Sequence, residues 1–307
     1  MMTNLSETIL KDWQVRKTRQ QKTDFIEFMK GEIPELTVEE GGTGKNRNLI
    51  VGDVKTAKII LTAHYDTCAK LPFPNFIAPK NKLLSLGYGM LIAVPFIIMM
   101  VVLELLFIAL FDNSMLAFWL SYFPTFGLMF WMFMGGKPNP HTANDNTSGV
   151  IQLIEIMSAL TEDQRKQVAF VFFDNEENGL LGSAYFAKLH KNEGMKEKLI
   201  LNYDCVSDGD NFLFVTSKTA QERFGEALAS AFPSTEEKIS EIVSNKKAMY
   251  PSDQKHFTTS VAVAALKNHP RFGLYLDKIH TKHDTNFDVR NIEYLTQGTL
   301  QFLDAAL

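Results

Sequence analysis

The chain has 307 residues, of which 46% are hydrophobic and 21% are charged, so it can build a sizeable core and is not a disordered chain. Its 31 Lys and Arg against 35 Asp and Glu give a formal net charge of −4, which lacks the basic footprint of a nucleic-acid-binding protein. The two cysteines, Cys68 and Cys205, are too few for a disulfide scaffold or for a cysteine-ligated zinc site. No apolar stretch follows the first charges of the N-terminus, so we expect no secretory signal peptide.

The first part of the chain predicts one helix and two strands. Apolar residues recur at helical spacing over residues 5–30, which indicates an amphipathic helix. The near-continuous apolar segments at 48–52 (NLIVG) and 58–66 (KIILTAHYD) are typical of buried strands. We expect these two strands to belong to the sheet at the centre of the fold.

Two long apolar segments follow. Residues 83–103 are 21 positions without a charge, apolar residues continue beyond Glu104, and 115–134 form a second uncharged run of 20. A helix rises about 1.5 Å per residue, so each run could cross the roughly 30 Å hydrocarbon core of a bilayer. We therefore predict a hydrophobic hairpin of two transmembrane helices, at about 83–110 and 115–134.

The charges beside this hairpin predict its orientation. A short turn joins the two runs, so both flanks lie on one side, and an excess of lysine marks the cytoplasmic side. We expect the globular part of the chain in the cytoplasm. The alternative is a buried hairpin or an apolar lid on a soluble protein, which Pro95 and Pro124 keep open. The flanking lysines are Lys70, Lys80, Lys82 and Lys137, against Asp112 in the turn.

The rest of the chain predicts a single domain. If residues 71–140 are an insertion, 1–70 and 141–307 together have a normal length for one domain. Apolar strands alternate with amphipathic helices, which favours an α/β fold with a mostly parallel mixed sheet sandwiched by helices. The further predicted strands are 167–174, 198–204 and 212–217, and the further predicted helices are 148–160, 180–190, 220–231 and 292–305.

A His-x-Asp pair closes the second predicted strand. Ligands of α/β sheets gather beyond the carboxyl ends of the strands, where AHYDT lies. Residues two apart on a strand share a face, so His64 and Asp66 point the same way. A metal-bound imidazole commonly donates its other N–H to a carboxylate, although such a pair is also an ordinary structural hydrogen bond.

Four more polar clusters lie at predicted strand or helix edges: NDNTSG (144–149), FDNEENG (173–179), NYD (202–204) and IHTKHDT (279–285). Each alone has a structural explanation, because Asp, Asn, Thr and Ser cap helices and acidic residues are commonly solvated. Together with AHYDT they supply His, Asp, Glu, Asp and His in one order. Carboxylates with imidazoles suit zinc, manganese or cobalt in a two-metal hydrolase.

The segments AHYDT, NDNTSG, FFDNEENGLLGS, LNYD and IHTKHDT together resemble the M28 family of zinc aminopeptidases, over residues 45–70 and 140–307. The resemblance implies a zinc-exopeptidase-like fold, two Zn²⁺ (or Mn²⁺ or Co²⁺) and a peptide substrate. It implies Glu176 as the general base and Asp66 as the partner that orients His64. The metal ligands that it implies are His64 and Asp204 on one zinc, Glu177 and His280 on the other, and Asp145 bridging both.

Some nearby residues compete with this assignment. His283 lies close to His280, but the family pattern I-H-T-x-x-D-T selects His280. The sequence has Gln254 where the S-D-H segment of the family has histidine, which leaves the detail of the pocket open. Tyr250 could bond a developing oxyanion or simply pack. The remaining histidines, His141, His190, His256 and His269, have no matching partner motif.

The expected function is therefore a membrane-anchored dizinc aminopeptidase, with the membrane contacted through residues 83–134 and no nucleic-acid partner. One alternative is a related dizinc carboxypeptidase, dipeptidase or amidase; another is a non-catalytic scaffold on the same fold. Glutaminyl cyclases resemble the family but use a reduced, single-zinc ligand set. The hairpin enters between the first ligand strand and Asp145, so we expect it beside the active site, favouring hydrophobic or membrane-derived peptides.

Overall fold

A nine-stranded mixed sheet with helices on both faces organises the protein, and the computed structural model describes residues 2–307. The strands are β1 (Thr37–Gly41), β2 (Asn46–Val51), β3 (Ile59–His64), β4 (Val168–Phe173), β5 (Leu199–Tyr203), β6 (Asn211–Thr216), β7 (Ile239–Ser244), β8 (Ser260–His269) and β9 (Gly273–Tyr275). The α-helices are α1 (Asn4–Asp12), α2 (Arg19–Glu32), α3 (Lys82–Phe111), α4 (Ser114–Phe130), α5 (Gly149–Ala159), α6 (Glu162–Arg165), α7 (Leu181–Leu189), α8 (Lys218–Ala231) and α9 (Val289–Ala306). Short π-helical turns at Trp131–Gly135 and Ala143–Ser148 and a 3₁₀ turn at Asp253–His256 complete the helical elements of the described residues.

The strand order of the sheet confirms the predicted mixed α/β fold. It is β1-β2-β4-β3-β5-β8-β6-β7, with β9 paired to β8. The central strands β4, β3, β5 and β8 are mutually parallel, as is the edge pair β6–β7, while the other pairings are antiparallel. Strands β1, β7, β8 and β9 were not predicted. The carboxyl ends of β3, β4 and β5 meet at one edge of the sheet.

Apolar residues alternate between the two faces of the sheet. Leu61 of β3 belongs to the core that includes Val150 of α5 and Phe302 of α9. The preceding residue, Ile60, belongs to the opposite core, with Phe186 of α7. Successive strand residues point to opposite faces, so helices on both sides bury nearly every position of these strands.

The N-terminal segment forms two helices, so the predicted continuous helix over 5–30 is wrong at its centre. Helix α1 ends at Asp12 and α2 begins after Thr18. The Thr18 hydroxyl accepts the N–H of Gln21, and the Gln21 side chain accepts the N–H of Thr18. This capping box stabilises the N-terminus of α2. The loop between α1 and α2 places Arg16 in the interior.

Helices α3 and α4 form an antiparallel hairpin that could cross a membrane. The segments Lys82–Phe111 and Ser114–Gly135 have windows of mean hydropathy 2.9 and 1.4. Core helices of soluble proteins and signal sequences can have the same length and apolar composition. Within the described segment Lys82–Phe111, however, no residue of α3 is buried, and exposed Leu, Ile and Val side chains cover it.

The segments that enter and leave the hairpin are bonded to each other and to the chain around His280. The amide of Lys70 donates to the carbonyl of Lys137, which brings the two ends of the insertion together. The amide of Asn75 donates to the carbonyl of Ile279 at 3.1 Å, and Ile77 forms a β-bridge with Leu276. The entry segment is therefore hydrogen-bonded to the chain just before His280.

Candidate metal centre

The five predicted metal ligands come from separate elements that meet at the carboxyl edge of the sheet. His64 is the last residue of β3, Glu177 follows β4, and Asp204 follows β5. Asp145 lies just before α5, and His280 lies after β9. Since parallel strands end together, residues far apart in the sequence become neighbours here.

The geometry places Asp145 between the two histidines. Its Oδ1 lies 3.3 Å from Nε2 of His64, and its Oδ2 lies 3.1 Å from Nε2 of His280. The His64 Nε2 is also 3.7 Å from Oδ1 of Asp204, and the His280 Nε2 is 3.2 Å from Oε2 of Glu177. Ligands about 2.0–2.1 Å from a tetrahedral zinc stand about 3.3 Å apart, so these separations fit two ion positions that share Asp145.

The cluster holds several buried carboxylates close together, and the hydrogen bonds around them do not satisfy every oxygen. Burial raises the pKa of Glu177 well above its usual range, and the neighbouring Asp145 carboxylate raises it further. Among residues 2–307, Oε1 of Glu177 is buried with no hydrogen-bond partner. Burial and nearby carboxylates also raise the pKa of Glu176, whose ligand atoms lie within 4.8 Å of those of His64 and Asp204. Divalent cations would relieve this repulsion, and the donor set suits zinc, manganese or cobalt.

Asp66 holds the turn that carries the paired glutamates. Its carboxylate accepts the backbone N–H groups of Glu176 at 3.0 Å and Glu177 at 3.2 Å. Nδ1 of His64 lies 3.0 Å from the backbone carbonyl of Asp66 and 3.7 Å from its carboxylate. A carbonyl can only accept, so in the neutral imidazole Nδ1 carries the proton and Nε2 presents its lone pair to the cluster. Asp66 thus orients His64 through its backbone, and its carboxylate positions the glutamates.

The loop that presents Asp145 is fixed by a second carboxylate. Asp284 accepts the backbone N–H groups of Asn144 and Asp145, each at 3.0 Å. Oδ1 of Asn146 accepts the N–H of Gly149, so the same polar segment also caps α5. The helix-capping and functional interpretations of NDNTSG are therefore compatible.

Sequence reasoning missed Arg16, which ties the ligand loops together. Its side chain is fully buried, and Nε donates to the carbonyl of Tyr65 at 2.5 Å. Both terminal nitrogens lie 3.2 Å from the hydroxyl of Thr147, in the loop that carries Asp145. Burial lowers the pKa of Arg16 to about 10. A lone arginine in a segment predicted to be helical gives no signal of this role.

The competing residues have other partners. His190 pairs with Glu39 and Glu193, each at 2.6 Å. The Tyr250 hydroxyl donates to the backbone carbonyl of Asp204 at 3.2 Å, and the Gln254 amide donates to the carbonyl of Tyr250 at 2.6 Å. Within residues 2–307, the clusters that could hold a metal include His280 and do not include His283. The roles of the clustered residues as ligands and general base stay predictions.

Several solved structures, a Zn-dependent exopeptidase among them, share this fold. They include the LapA aminopeptidase of Legionella pneumophila (13% identity, TM-score 0.56, 98% of this chain and 67% of that chain) and a Zn-dependent exopeptidase of Parabacteroides distasonis (14%, 0.60, 97% and 96%). The glutaminyl cyclase of Porphyromonas gingivalis is also similar (14%, 0.58, 98% and 97%). At such identities the likeness is one of fold.

The chain belongs to Peptidase family M28, whose sequence profile matches residues 129–302, more than half of its length. The resemblance inferred from the sequence motifs is thereby confirmed. A curated relative, "probable leucine aminopeptidase 2" of Aspergillus oryzae, is 39% identical over 74 residues. That match spans 24% of this chain and 15% of the relative.

Proposed function

We propose that this protein is a membrane-anchored aminopeptidase that removes N-terminal residues from peptides, with two zinc ions, or manganese or cobalt in their place, as cofactors. The observation that carries the proposal is Asp145, whose two oxygens lie 3.3 Å from His64 Nε2 and 3.1 Å from His280 Nε2. It supports one ion held by His64 and Asp204, a second held by Glu177 and His280, and Asp145 as the bridge.

Glu176 is the proposed general base. It stands beside His64 and Asp204 but outside the ligand pairs, and its backbone is fixed by Asp66. Bound zinc would supply Lewis-acid activation of the scissile carbonyl and of the attacking water. Glu176 would accept the proton of that water and deliver it to the leaving amine.

The charge of the site favours a free N-terminus as the substrate group. Glu176 adds a carboxylate beside the proposed ligand Asp204. Negative charge attracts a protonated α-amine, whereas a carboxypeptidase needs a cation for the terminal carboxylate of its substrate. The similarity to a protein named as a leucine aminopeptidase points the same way.

We further propose that residues 71–140 are a module inserted into one metallopeptidase domain, formed by 1–70 and 141–307, and that α3 and α4 span the membrane. The exposure of the apolar α3 side chains supports a lipid environment. The lysines that flank the hairpin favour a cytoplasmic catalytic domain. The entry segment is bonded to the chain before His280, so the site would open near the bilayer.

Peptide digestion tests the activity. Zinc-loaded protein in detergent is incubated with matched peptides that have free or acetylated N-termini, including N-terminal Gln, and products are read by mass spectrometry. Trimming confined to free N-termini is the expected result. C-terminal or internal cleavage would indicate the carboxypeptidase or amidase alternative, and ammonia loss from N-terminal Gln alone would indicate a cyclase. The Glu176→Gln variant is the matched control for contaminating peptidases.

Carbonate extraction of membranes from expressing cells tests the anchor. The full chain should stay in the membrane pellet, and a variant lacking residues 75–136 should be released. The deletion should also reduce cleavage of long hydrophobic peptides more than that of short soluble ones. Release of the full chain by carbonate would instead support an apolar lid or a protein interface.

A further inference from the structure

We propose that Cys68 is a fourth protein ligand of the metal position formed by Asp145, Glu177 and His280, an inference that rests on the proposed metal centre. One ligand atom from each of these four residues lies within 4.8 Å of the other three. A tetrahedral site with one Zn–S bond of about 2.3 Å and oxygen or nitrogen bonds of about 2.0–2.2 Å is compact enough to match such a cluster.

The position of Cys68 is set by the root of the hairpin. The residue is 1% exposed, and its carbonyl accepts the backbone N–H of Asn139 at 3.2 Å. The Asn139 side-chain amide lies 3.7 Å from the sulfur, and it also donates to the carbonyls of His141 and Thr281. One asparagine thus connects Cys68 with the loops that lead to Asp145 and follow His280. A thiol held in this way needs little rearrangement to bind an ion.

A second observation points to a ligand at the same place. The Glu177 side chain is only 10% exposed, and its Oε1 has no hydrogen-bond partner within residues 2–307. An unsatisfied buried carboxylate oxygen is costly, and a cation would remove that cost. The carboxylate that carries this free oxygen and the Cys68 thiol belong to one cluster of candidate ligands.

Cys68 would make the two metal positions unequal. Cysteine, aspartate, glutamate and histidine together complete a four-coordinate shell, which is typical of closed zinc sites. The position held by His64, Asp145 and Asp204 would keep an open coordination place beside Glu176. A thiolate also favours zinc, cadmium or cobalt over manganese or magnesium, so the second position should select softer ions. Binding there forms a metal–sulfur bond and releases the thiol proton to solvent.

Cys205 is the matched control for this assignment. Its sulfur also lies within 4.8 Å of ligand atoms of Asp145 and Asp204, but that group contains no histidine. In that group Asp204 is assigned to the His64 position, and Asp145 bridges the two positions. Cys205 therefore tests whether mere closeness of a thiol to the centre produces a metal–sulfur bond.

Cobalt spectroscopy of the full chain in detergent tests the proposal. Purified protein is stripped of metal, loaded with Co²⁺, and compared with Cys68→Ser, Cys68→Ala and Cys205→Ser. We expect a near-ultraviolet sulfur-to-cobalt charge-transfer band in the unsubstituted protein and in Cys205→Ser, and its loss in both Cys68 variants. Competition with a chelator should show at least roughly tenfold weaker binding of one of two zinc ions in Cys68→Ser. Retention of the other ion and an unchanged unfolding temperature of the metal-free protein exclude a folding defect.

The outcomes separate this inference from the proposed function. The role of Cys68 would be overturned if the protein bound two cobalt ions without showing the band. It would also be overturned if Cys205→Ser removed the band and Cys68→Ser kept it. Either result would leave the proposed dimetal peptidase intact. Failure of the unsubstituted protein to bind Co²⁺ or Zn²⁺ would overturn both.

Discussion

The amide of Leu71 donates to the carbonyl of His280 at 2.7 Å, so the segment that enters the apolar hairpin is bonded directly to a proposed metal ligand. Leu71 is buried, and the next contact along the same pairing joins Asn75 to Ile279. Strain or movement of the hairpin root would therefore reach His280 through one hydrogen bond. This hydrogen bond connects the proposed membrane hairpin to the proposed metal centre.

Leu71→Pro should weaken metal binding because proline lacks the N–H that bonds His280. Loss of that bond and of its backbone geometry is worth about 1 kcal/mol or more, so zinc should bind roughly fivefold less tightly or worse. Leu71→Ala keeps the N–H and serves as the control for lost packing. Chelator competition measures the affinity. Equal affinities in the two variants would show that this hydrogen bond does not position His280.

Glu176→Gln should leave two metal ions bound and lower turnover by roughly 10²–10⁴-fold, because an amide cannot accept the proton of the attacking water. Glu177→Gln changes the neighbouring residue in the same way but removes a proposed ligand, so it should lose metal on dialysis. Elemental analysis and peptide turnover are measured on both. Near-native turnover in metal-loaded Glu176→Gln would contradict the assignment of the base.

Asp284→Asn should disturb Asp145 without removing any proposed ligand. The Asp284 carboxylate accepts two backbone N–H groups at 3.0 Å, and an amide offers one acceptor oxygen, so one buried donor loses its partner at a cost of about 1–3 kcal/mol. We expect lower zinc affinity and a lower unfolding temperature. Asp277→Asn, which alters a partly exposed ion pair with Lys267, is the control and should change little. Unchanged zinc affinity in Asp284→Asn would show that Asp145 needs no such support.

The central sheet could be predicted because its strands are continuous apolar segments that end in polar clusters. β3, β4 and β5 have this pattern. The order of the polar motifs that follow them predicted that their carboxyl ends form one site. β8 was missed because its last three residues, Lys267–His269, turn polar where the strand leaves the covered core. β1 has no apolar run at all, since it is an edge strand with one exposed side.

Contacts made at long sequence separation could not be predicted. Arg16 reaches Thr147 across 131 positions, and Cys68 meets Glu177 and His280 only after β3 and β4 pair. The break between α1 and α2 could have been predicted from the sequence, because Thr18 and Gln21 form a capping-box pattern. The apolar periodicity across residues 5–30 hid that signal.

His190 should make stability depend on pH. Burial lowers its pKa, but the hydrogen bonds that its ring donates to Glu39 and Glu193 outweigh this effect and raise the pKa above the usual 6.5. A raised folded-state pKa gives stability that is fully present below the unfolded value and is lost as pH rises through the folded value. His190→Gln should therefore lower the free energy of unfolding by about 1 kcal/mol near pH 5.5 and by clearly less near pH 9. Urea unfolding at the two pH values measures the difference. His269→Gln is the control, because that ring stacks on Phe272 with centroids 4.0 Å apart. An equal loss for His190→Gln at both pH values would show that packing, and not the charged hydrogen bonds, sets its contribution.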